Sequence, residues 1–149
     1  MPLIILIILA TIFYTLFDIF ASKAGNRVDA NLSSVIFNAL GALIPLAVYA
    51  YLKFAKGAKL IATSSSGVMY SLLAGISIAI FSILLIKTFE KGGLAYVIPL
   101  IYGGSVALAS LAGWLIFRES VSALQMVGIA VIIVGIILVI VAKMQISAI

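Results

Sequence analysis

The sequence predicts an all-α integral membrane protein, a bundle of five transmembrane helices, and three observations support this fold class. Five apolar runs fill almost all of the 149-residue chain: 3–21, 32–52, 68–86, 94–117 and 124–142. Each has about the 20 residues with which an α-helix crosses a hydrocarbon core of roughly 30 Å. Charged residues make up only 9% of the chain, against roughly 25% in soluble domains. We therefore expect one transmembrane domain over residues 1–149 that lies in a lipid bilayer.

Short connections separate the runs and limit the predicted helices to residues 3–22, 32–53, 67–87, 93–117 and 122–143. The segment from Ser64 to Gly67 has the residue types that cap a helix, here the third. Links this short force neighbouring helices to run antiparallel. The first run is expected to be a span and not a signal peptide, since no basic residue precedes it and four more spans follow.

Composition argues against several classes of function. The chain contains no cysteine and no histidine, so disulfides, thiolate or imidazole chemistry and the usual soft metal sites are not expected. The sequence shows no phosphate-binding loop and no dinucleotide fingerprint, and its four acids are scattered. We therefore predict neither an enzyme nor a bound cofactor or metal. The net charge of +5 comes from dispersed residues, which is typical of membrane topology signals and not of a nucleic-acid interface.

The basic residues are almost evenly divided between the two sides of the predicted bundle. One side has Lys23, Arg27, Lys87, Lys91 and Lys143; the other has Lys53, Lys56, Lys59, Arg118 and the amino terminus. The usual cytoplasmic excess of Lys and Arg is nearly absent. Two interpretations stay open: one weakly determined orientation, or dual topology, in which copies insert both ways and pair head to tail.

Asp18 is the only acid inside an apolar run, and it is the first candidate for a functional site. The residues that recur with it at spacings of three and four are Thr11, Tyr14, Thr15 and Ser22. Such spacing places side chains on one helical face. A carboxylate facing a cavity would bind a cation or take up a proton. The alternative is that Asp18, close to a helix end, meets water or Lys23.

Two other spans add polar positions to this candidate site. Asn38 lies well inside the second span and must find a hydrogen-bond partner, and Pro45 on the same stripe leaves a helical carbonyl without its donor. The fourth span carries Tyr102 beside the stripe Pro99, Gly103, Val106, Ser110 and Gly113. We predict that Asp18, Tyr14, Asn38, Tyr102 and Ser110 bind substrate. Packing between helices is the alternative for each position.

The last third of the chain, KGGLAYVIPLIYGGSVALASLAGWLIFRESVSALQMVGIAVIIVGIILV, resembles the EamA-like repeat unit of the drug/metabolite transporter superfamily. The unit has a proline early in its penultimate helix, here Pro99, and a glutamate just after that helix, here Glu119. Glycines follow in the final helix, here Gly128 and Gly135. The opening YTLFDIFASKAG is similar to the first helix of the family. The resemblance implies structural roles for these four residues, and we expect Glu119 to hold the fourth turn through Arg118 or backbone amides.

Most transporters of this superfamily are similar to two such units fused in inverted orientation, whereas this chain has one. The resemblance therefore implies an antiparallel homodimer of ten helices, and it favours dual topology. It also implies a secondary transporter in the cell membrane that exports or exchanges a small metabolite, an amino acid or a drug-like compound, by alternating access. A non-transporting scaffold or assembly subunit that needs a second five-helix partner is the alternative. Export of a lipid or a lipid-linked sugar is also compatible with the resemblance.

Overall fold

A computed structural model of the chain describes residues 2–57 and 63–147. In this part of the chain there are five long helices and no strands: α1 (Leu3–Ala24), α2 (Ala30–Ala50), α3 (Ser65–Lys91), α4 (Leu94–Leu115) and α5 (Ala123–Ser147). A π-helical turn, Tyr51–Ala55, continues α2. All five helices are long and apolar enough to cross a bilayer. The predicted all-α bundle of membrane spans is confirmed.

The first two helices are joined by a turn that specifies where each one ends. Asn26 adopts a left-handed conformation with φ of 61°, which stops α1, since asparagine tolerates this region better than most residues. Asp29 then caps α2, because its Oδ1 accepts hydrogen bonds from the amides of Asn31 (2.9 Å) and Leu32 (3.2 Å). These bonds hold the pKa of the exposed Asp29 carboxyl below its ordinary value of 3.8. α2 consequently begins at Ala30, two residues before the predicted start.

The starts of α3 and α5 also follow from capping chemistry. The Ser64 hydroxyl accepts a hydrogen bond from the Gly67 amide (3.1 Å), which confirms the predicted cap of α3. At the start of α5, Ser122 and Gln125 bond reciprocally between backbone amides and side-chain oxygens, at 2.7 and 3.2 Å, which is a capping box. α3 continues beyond the predicted residue 87 to Lys91, since Lys and Glu favour helix and the first glycine comes only at position 92.

The chain divides into two compact units, which are described separately. The first unit comprises Met1–Ile19 and Gly92–Ile149, and thus most of α1 with α4 and α5. The second unit is Phe20–Lys91, with the end of α1, α2, the π-helical turn and α3. Within the first unit α4 packs on α5, and within the second α2 packs on α3.

Close packing in the second unit is concentrated at one end. The fully or nearly fully buried apolar residues are Ala21, Ala30, Leu85, Ile86 and Phe89. They come from the end of α1, the start of α2 and the last two turns of α3. The Asn26 side-chain amide donates to the Glu90 carbonyl at 3.4 Å, which ties the α1–α2 turn to the end of α3. Elsewhere most large apolar side chains are exposed, as expected for faces that contact lipid.

Two lysine side chains near the end of α2 lie close to aromatic rings. The Lys53 ammonium lies 5.5 Å from the centre of the Tyr49 ring and 5.6 Å from that of Phe54. The Lys56 ammonium lies 5.6 Å from the Tyr51 ring. Aromatic rings and snorkelling lysines are typical of the boundary between hydrocarbon and headgroups. Lys59, which the charge count places on this side, lies outside the described residues.

The residues to which the sequence assigns structural roles lie on α4, α5 and the turn between them. α4 continues through Pro99, and α2 likewise continues through Pro45. Gly128 and Gly135 have no neighbouring atom within 4 Å of the position a Cβ would take. The close approach between α4 and α5 is made at Gly103 instead, against the Ile136 side chain.

Candidate functional site

A buried carboxylate joins α1 to α4 within the first unit. Asp18, on α1, has only 4% of its surface exposed. The Tyr102 hydroxyl, on α4, donates a hydrogen bond of 2.8 Å to its Oδ1. Among the described residues, no lysine or arginine forms an ion pair with Asp18. Of the two interpretations of Asp18, this geometry favours a carboxyl group held inside the protein over one in contact with water at the helix end.

Two further aromatic rings lie next to this pair. The ring centres of Tyr14 and Tyr102 are 5.0 Å apart, with an angle of 54° between their planes. The Phe17 ring stacks on Tyr14 at 6.0 Å. Tyr14 is exposed while Asp18 is buried, and the Tyr14 ring lies next to the Tyr102 ring, whose hydroxyl bonds the carboxyl group. The face of an aromatic ring attracts a cation, so these rings would add to the attraction that the Asp18 carboxylate exerts on a cation.

The hydroxyls of Thr11 and Thr15, on the same face of α1, are satisfied by their own helix. Thr11 donates to the Ile7 carbonyl at 2.9 Å, and Thr15 donates to the Thr11 carbonyl at 2.8 Å. Bonds of this kind satisfy a hydroxyl at membrane depth without a partner from another helix. In the described part of the chain, no group of three or more acidic side chains is placed to hold a metal ion.

Asn38 lies in the second unit, where it forms a polar cluster with Ser34 and Ser82. Its Nδ2 donates to the Ser34 carbonyl (2.8 Å), the Ser34 hydroxyl (3.1 Å) and the Ser82 hydroxyl (2.9 Å). The two serine hydroxyls also bond each other directly. This cluster joins α2 to α3 by side-chain hydrogen bonds at a place where both helices are otherwise apolar.

The direction of each bond in this cluster follows from its partners. A backbone carbonyl only accepts, so the Asn38 atom facing the Ser34 carbonyl is the nitrogen. Ser82 donates to the Ala79 carbonyl at 2.8 Å, so in the serine pair Ser34 donates and Ser82 accepts. Every donor of the three side chains is then used. Among the described residues no donor bonds the Asn38 Oδ1, which is left to accept a hydrogen bond from a molecule outside the cluster.

Ser110 lies elsewhere in the first unit, between α4 and α5. It lines two adjoining cavities of about 260 and 310 Å³, and the second of these is also lined by Glu119. On an ideal helix the eight residues from Tyr102 to Ser110 span about 12 Å. The structure thus brings Asp18, Tyr14 and Tyr102 together, whereas Ser110 lines two cavities of the same unit that these three residues do not line.

Two residues of these arrangements were absent from the prediction. Ser82 is one polar residue in a long apolar run, and its only sequence signal is that Asn38 requires a partner. Trp114 lines the cavity that also contains Ser110, and it is the only tryptophan in the chain. Glu119 was expected to hold the fourth turn through Arg118 or nearby backbone amides; in the structure its own backbone amide donates to the Gly113 carbonyl, at 3.0 Å.

Five membrane-spanning helices with a carboxylate buried between two of them define a multi-pass membrane protein with a polar intramembrane site. Such a site is typical of proteins that move ions or small molecules. The comparison with known families gives the more specific result: the EamA-like transporter family matches residues 1–141, and the chain belongs to that family. It is therefore a membrane transporter of the drug/metabolite superfamily. No curated protein and no solved structure matches the chain.

Proposed function

We propose that the protein is a secondary transporter of the cell membrane that exports or exchanges a small metabolite, an amino acid or a drug-like compound, by alternating access. The observation that carries this proposal is the Asp18 carboxyl group, buried on α1 and hydrogen-bonded by Tyr102 on α4. Membership of the EamA-like family supports the transporter class, and the site supports a role for charge in cargo recognition.

The proposed role of Asp18 follows from the cost of burying a charge. A carboxylate removed from water needs compensation beyond one neutral hydrogen bond. A bound proton or the cationic group of a cargo would supply this compensation. Binding of the cargo would therefore release the proton, and binding of the proton would release the cargo. Tyr102 holds the carboxyl group in place, while Tyr14 offers a ring face to a cation. The same carboxyl group would thereby couple cargo movement to a proton gradient.

Asn38 and Ser110 complete the proposed substrate pathway. Asn38 would contact cargo through its Oδ1, because its nitrogen is already engaged with Ser34 and Ser82. A donor group on the cargo, such as an ammonium or an amide, fits this acceptor. Ser110 would contact cargo from its cavity between α4 and α5.

The proposed assembly is an antiparallel homodimer with ten helices. Two observations support it: the described residues contain five candidate membrane spans, the number in one EamA-like repeat, and the basic residues are nearly balanced between the two predicted sides. A lone unit of five spans has too few helices to enclose a pathway with two alternating openings, and a second, inverted copy would supply the missing half. Rigid-body motion of one copy against the other would then alternate the access to Asp18.

The test is flux into proteoliposomes under an imposed pH gradient. A thermal-shift screen of the purified protein against metabolites first identifies the cargo, since a ligand at about 100 times its dissociation constant adds about 2.7 kcal/mol of stability. Asp18→Asn is expected to reduce flux at least tenfold and to abolish its pH dependence. Tyr102→Phe keeps the ring against Tyr14 but removes the hydroxyl donor, and an intermediate loss is expected.

Asp29→Asn is the matched control, because it also removes one carboxylate while asparagine still caps a helix. Its flux should equal that of the unmodified protein. Full flux with unchanged pH dependence in Asp18→Asn would remove this residue from the mechanism. Absence of flux for every compound that stabilises the protein would instead support a scaffold or an assembly subunit.

A further inference from the structure

The ends of α4 and α5 border a groove from which the proposed substrate pathway uses only Ser110. It consists of the two adjoining cavities, of about 260 and 310 Å³, which share Ser110. The smaller one is lined by Leu111, Trp114 and Met126 and is almost entirely apolar. The larger one carries the polar side chains of Glu119 and Gln125. The groove therefore has an apolar end and an acidic end, both within the first unit.

The acidic end is built by a specific local conformation. Arg118 has a left-handed backbone with φ of 53°, and the Glu119 amide bonds to the Gly113 carbonyl at 3.0 Å. This turn folds the Glu119 side chain back over α4. Its Oε2 lies only 2.8 Å from the position that a Cβ at residue 113 would occupy. Glycine at 113 is what leaves space for the carboxylate at the mouth of the groove.

The two charges of this turn are not used within the protein. In the described part of the chain, the Arg118 and Glu119 side chains form no ion pair with each other or with another residue. Glu119 lies four residues after the end of α4 at Leu115 and four before the start of α5 at Ala123. Both charges therefore lie at the ends of two spans, the depth at which phospholipid headgroups are found.

We propose that this groove binds a phospholipid with an ammonium headgroup. The ammonium contacts the Glu119 carboxylate, the phosphate is attracted by Arg118, and an acyl chain lies along Leu111, Trp114 and Met126. The two partners have complementary charges: Glu119 at the mouth of the groove and Arg118, the residue before it, match a zwitterionic headgroup. The apolar end of the groove would then receive an acyl chain. An ammonium with N–H donors gains a charge-assisted hydrogen bond that a trimethylammonium group lacks.

Trp114 makes the proposal directly measurable, because it is the only tryptophan and it lines the apolar end of the groove. The protein is reconstituted into vesicles containing a small fraction of phospholipid with brominated acyl chains, which quench tryptophan at contact distance. We expect brominated phosphatidylethanolamine to quench at least threefold more strongly than brominated phosphatidylcholine or phosphatidylglycerol at the same fraction. Equal quenching by all three would mean a non-selective lipid shell and would overturn the proposal.

Variants distinguish an effect of the Glu119 carboxylate from an effect on the fold. Glu119→Gln should bring the quenching by the three lipids to within experimental error of one another. Gly113→Ala should do the same while keeping the charge, because its Cβ displaces the Oε2 atom, the flexible end of the side chain. Glu90→Gln removes an acid in the last turn of α3, in the second unit, and should keep the preference. A preference that survives both Glu119→Gln and Gly113→Ala would refute the assignment of the site to Glu119.

A water-soluble cation is the other occupant that the experiment tests. Benzylammonium, added to vesicles with brominated phosphatidylethanolamine, should leave the quenching unchanged at millimolar concentration, since it has no acyl chain to fill the groove. Full relief of quenching by benzylammonium would assign the groove to soluble cations and overturn the lipid assignment.

Discussion

The Ile136 side chain on α5 occupies the space that a side chain at Gly103 on α4 would need. Its Cδ1 and Cγ1 atoms lie 2.6 and 2.7 Å from the position of a Cβ at residue 103. The next residue, Gly104, has no atom within 4 Å of the same position. The two adjacent glycines thus have different roles, although the sequence alone does not distinguish them. Gly103 allows α4 and α5 to approach closely, as small residues do between membrane helices.

Gly103→Ala is expected to destabilise the protein by about 1–3 kcal/mol, the usual cost of overpacking a well-filled contact. Gly104→Ala is the matched control and should be neutral or stabilising by up to about 1 kcal/mol, since alanine favours helix over glycine. Thermal unfolding in detergent measures both variants. Combining Gly103→Ala with Ile136→Ala should restore part of the loss, and equal stability of the two single variants would contradict the assigned contact.

The cluster of Ser34, Asn38 and Ser82 gives a second stability prediction. Ser82→Ala removes the hydroxyl that accepts from Asn38 and Ser34, and it should cost about 0.6 kcal/mol, with an upper bound of about 1.7 kcal/mol. Ser77→Ala, on the same helix, removes only a bond to the Leu73 carbonyl and should have a smaller effect. Asn38→Asp should be worse than Asn38→Ala, because it places an oxygen against the Ser34 carbonyl. A double-mutant cycle of residues 38 and 82 that yields no coupling would be inconsistent with these bonds.

Asp29 gives a prediction for the dependence of stability on pH. Backbone hydrogen bonds hold the pKa of Asp29 below its ordinary value of 3.8 in the folded protein. The folded state thus favours the ionised carboxyl, and the resulting stabilisation is fully present above the unfolded pKa and disappears as pH falls through the folded one. Compared with Asp29→Ala, the unmodified protein should have the higher melting temperature at pH 6. The part of this difference that comes from ionisation should vanish at pH values below the folded pKa, and a difference independent of pH would contradict it.

The five helices could be predicted because span length is a one-dimensional property of the chain, but their contacts could not. Asp18, Tyr14 and Tyr102 were chosen as polar positions of two spans, yet nothing in the spacing indicates that Tyr102 bonds Asp18, 84 residues earlier. Ser110 shares a helical stripe with Pro99 but lines cavities between α4 and α5, since a stripe does not specify which helix it faces. α2 begins two residues before its predicted start because Asp29 caps it, and capping depends on side-chain geometry and not on hydropathy.

Dual topology is the last prediction, and the absence of cysteine from the chain makes it simple to test. Single cysteines at Ala55 and Gly93 leave every charge in place and stand at exposed positions near opposite ends of α3. A membrane-impermeant maleimide applied to intact cells should label about half of the molecules of each variant if copies insert both ways. A single orientation would give nearly complete labelling at one position and almost none at the other.

The cause of dual topology can be tested by shifting the charge balance. Lys53 and Lys56 are two of the four basic residues on their side, so replacing both with Gln should direct most copies into one orientation. Labelling of Ala55→Cys should then change in the opposite direction to that of Gly93→Cys. Because an antiparallel dimer needs both orientations, this charge-shifted variant should also lose transport, and co-expression with a variant shifted the other way, Lys87→Gln with Lys91→Gln, should restore it. Full transport by the singly oriented variant alone would rule out the antiparallel homodimer.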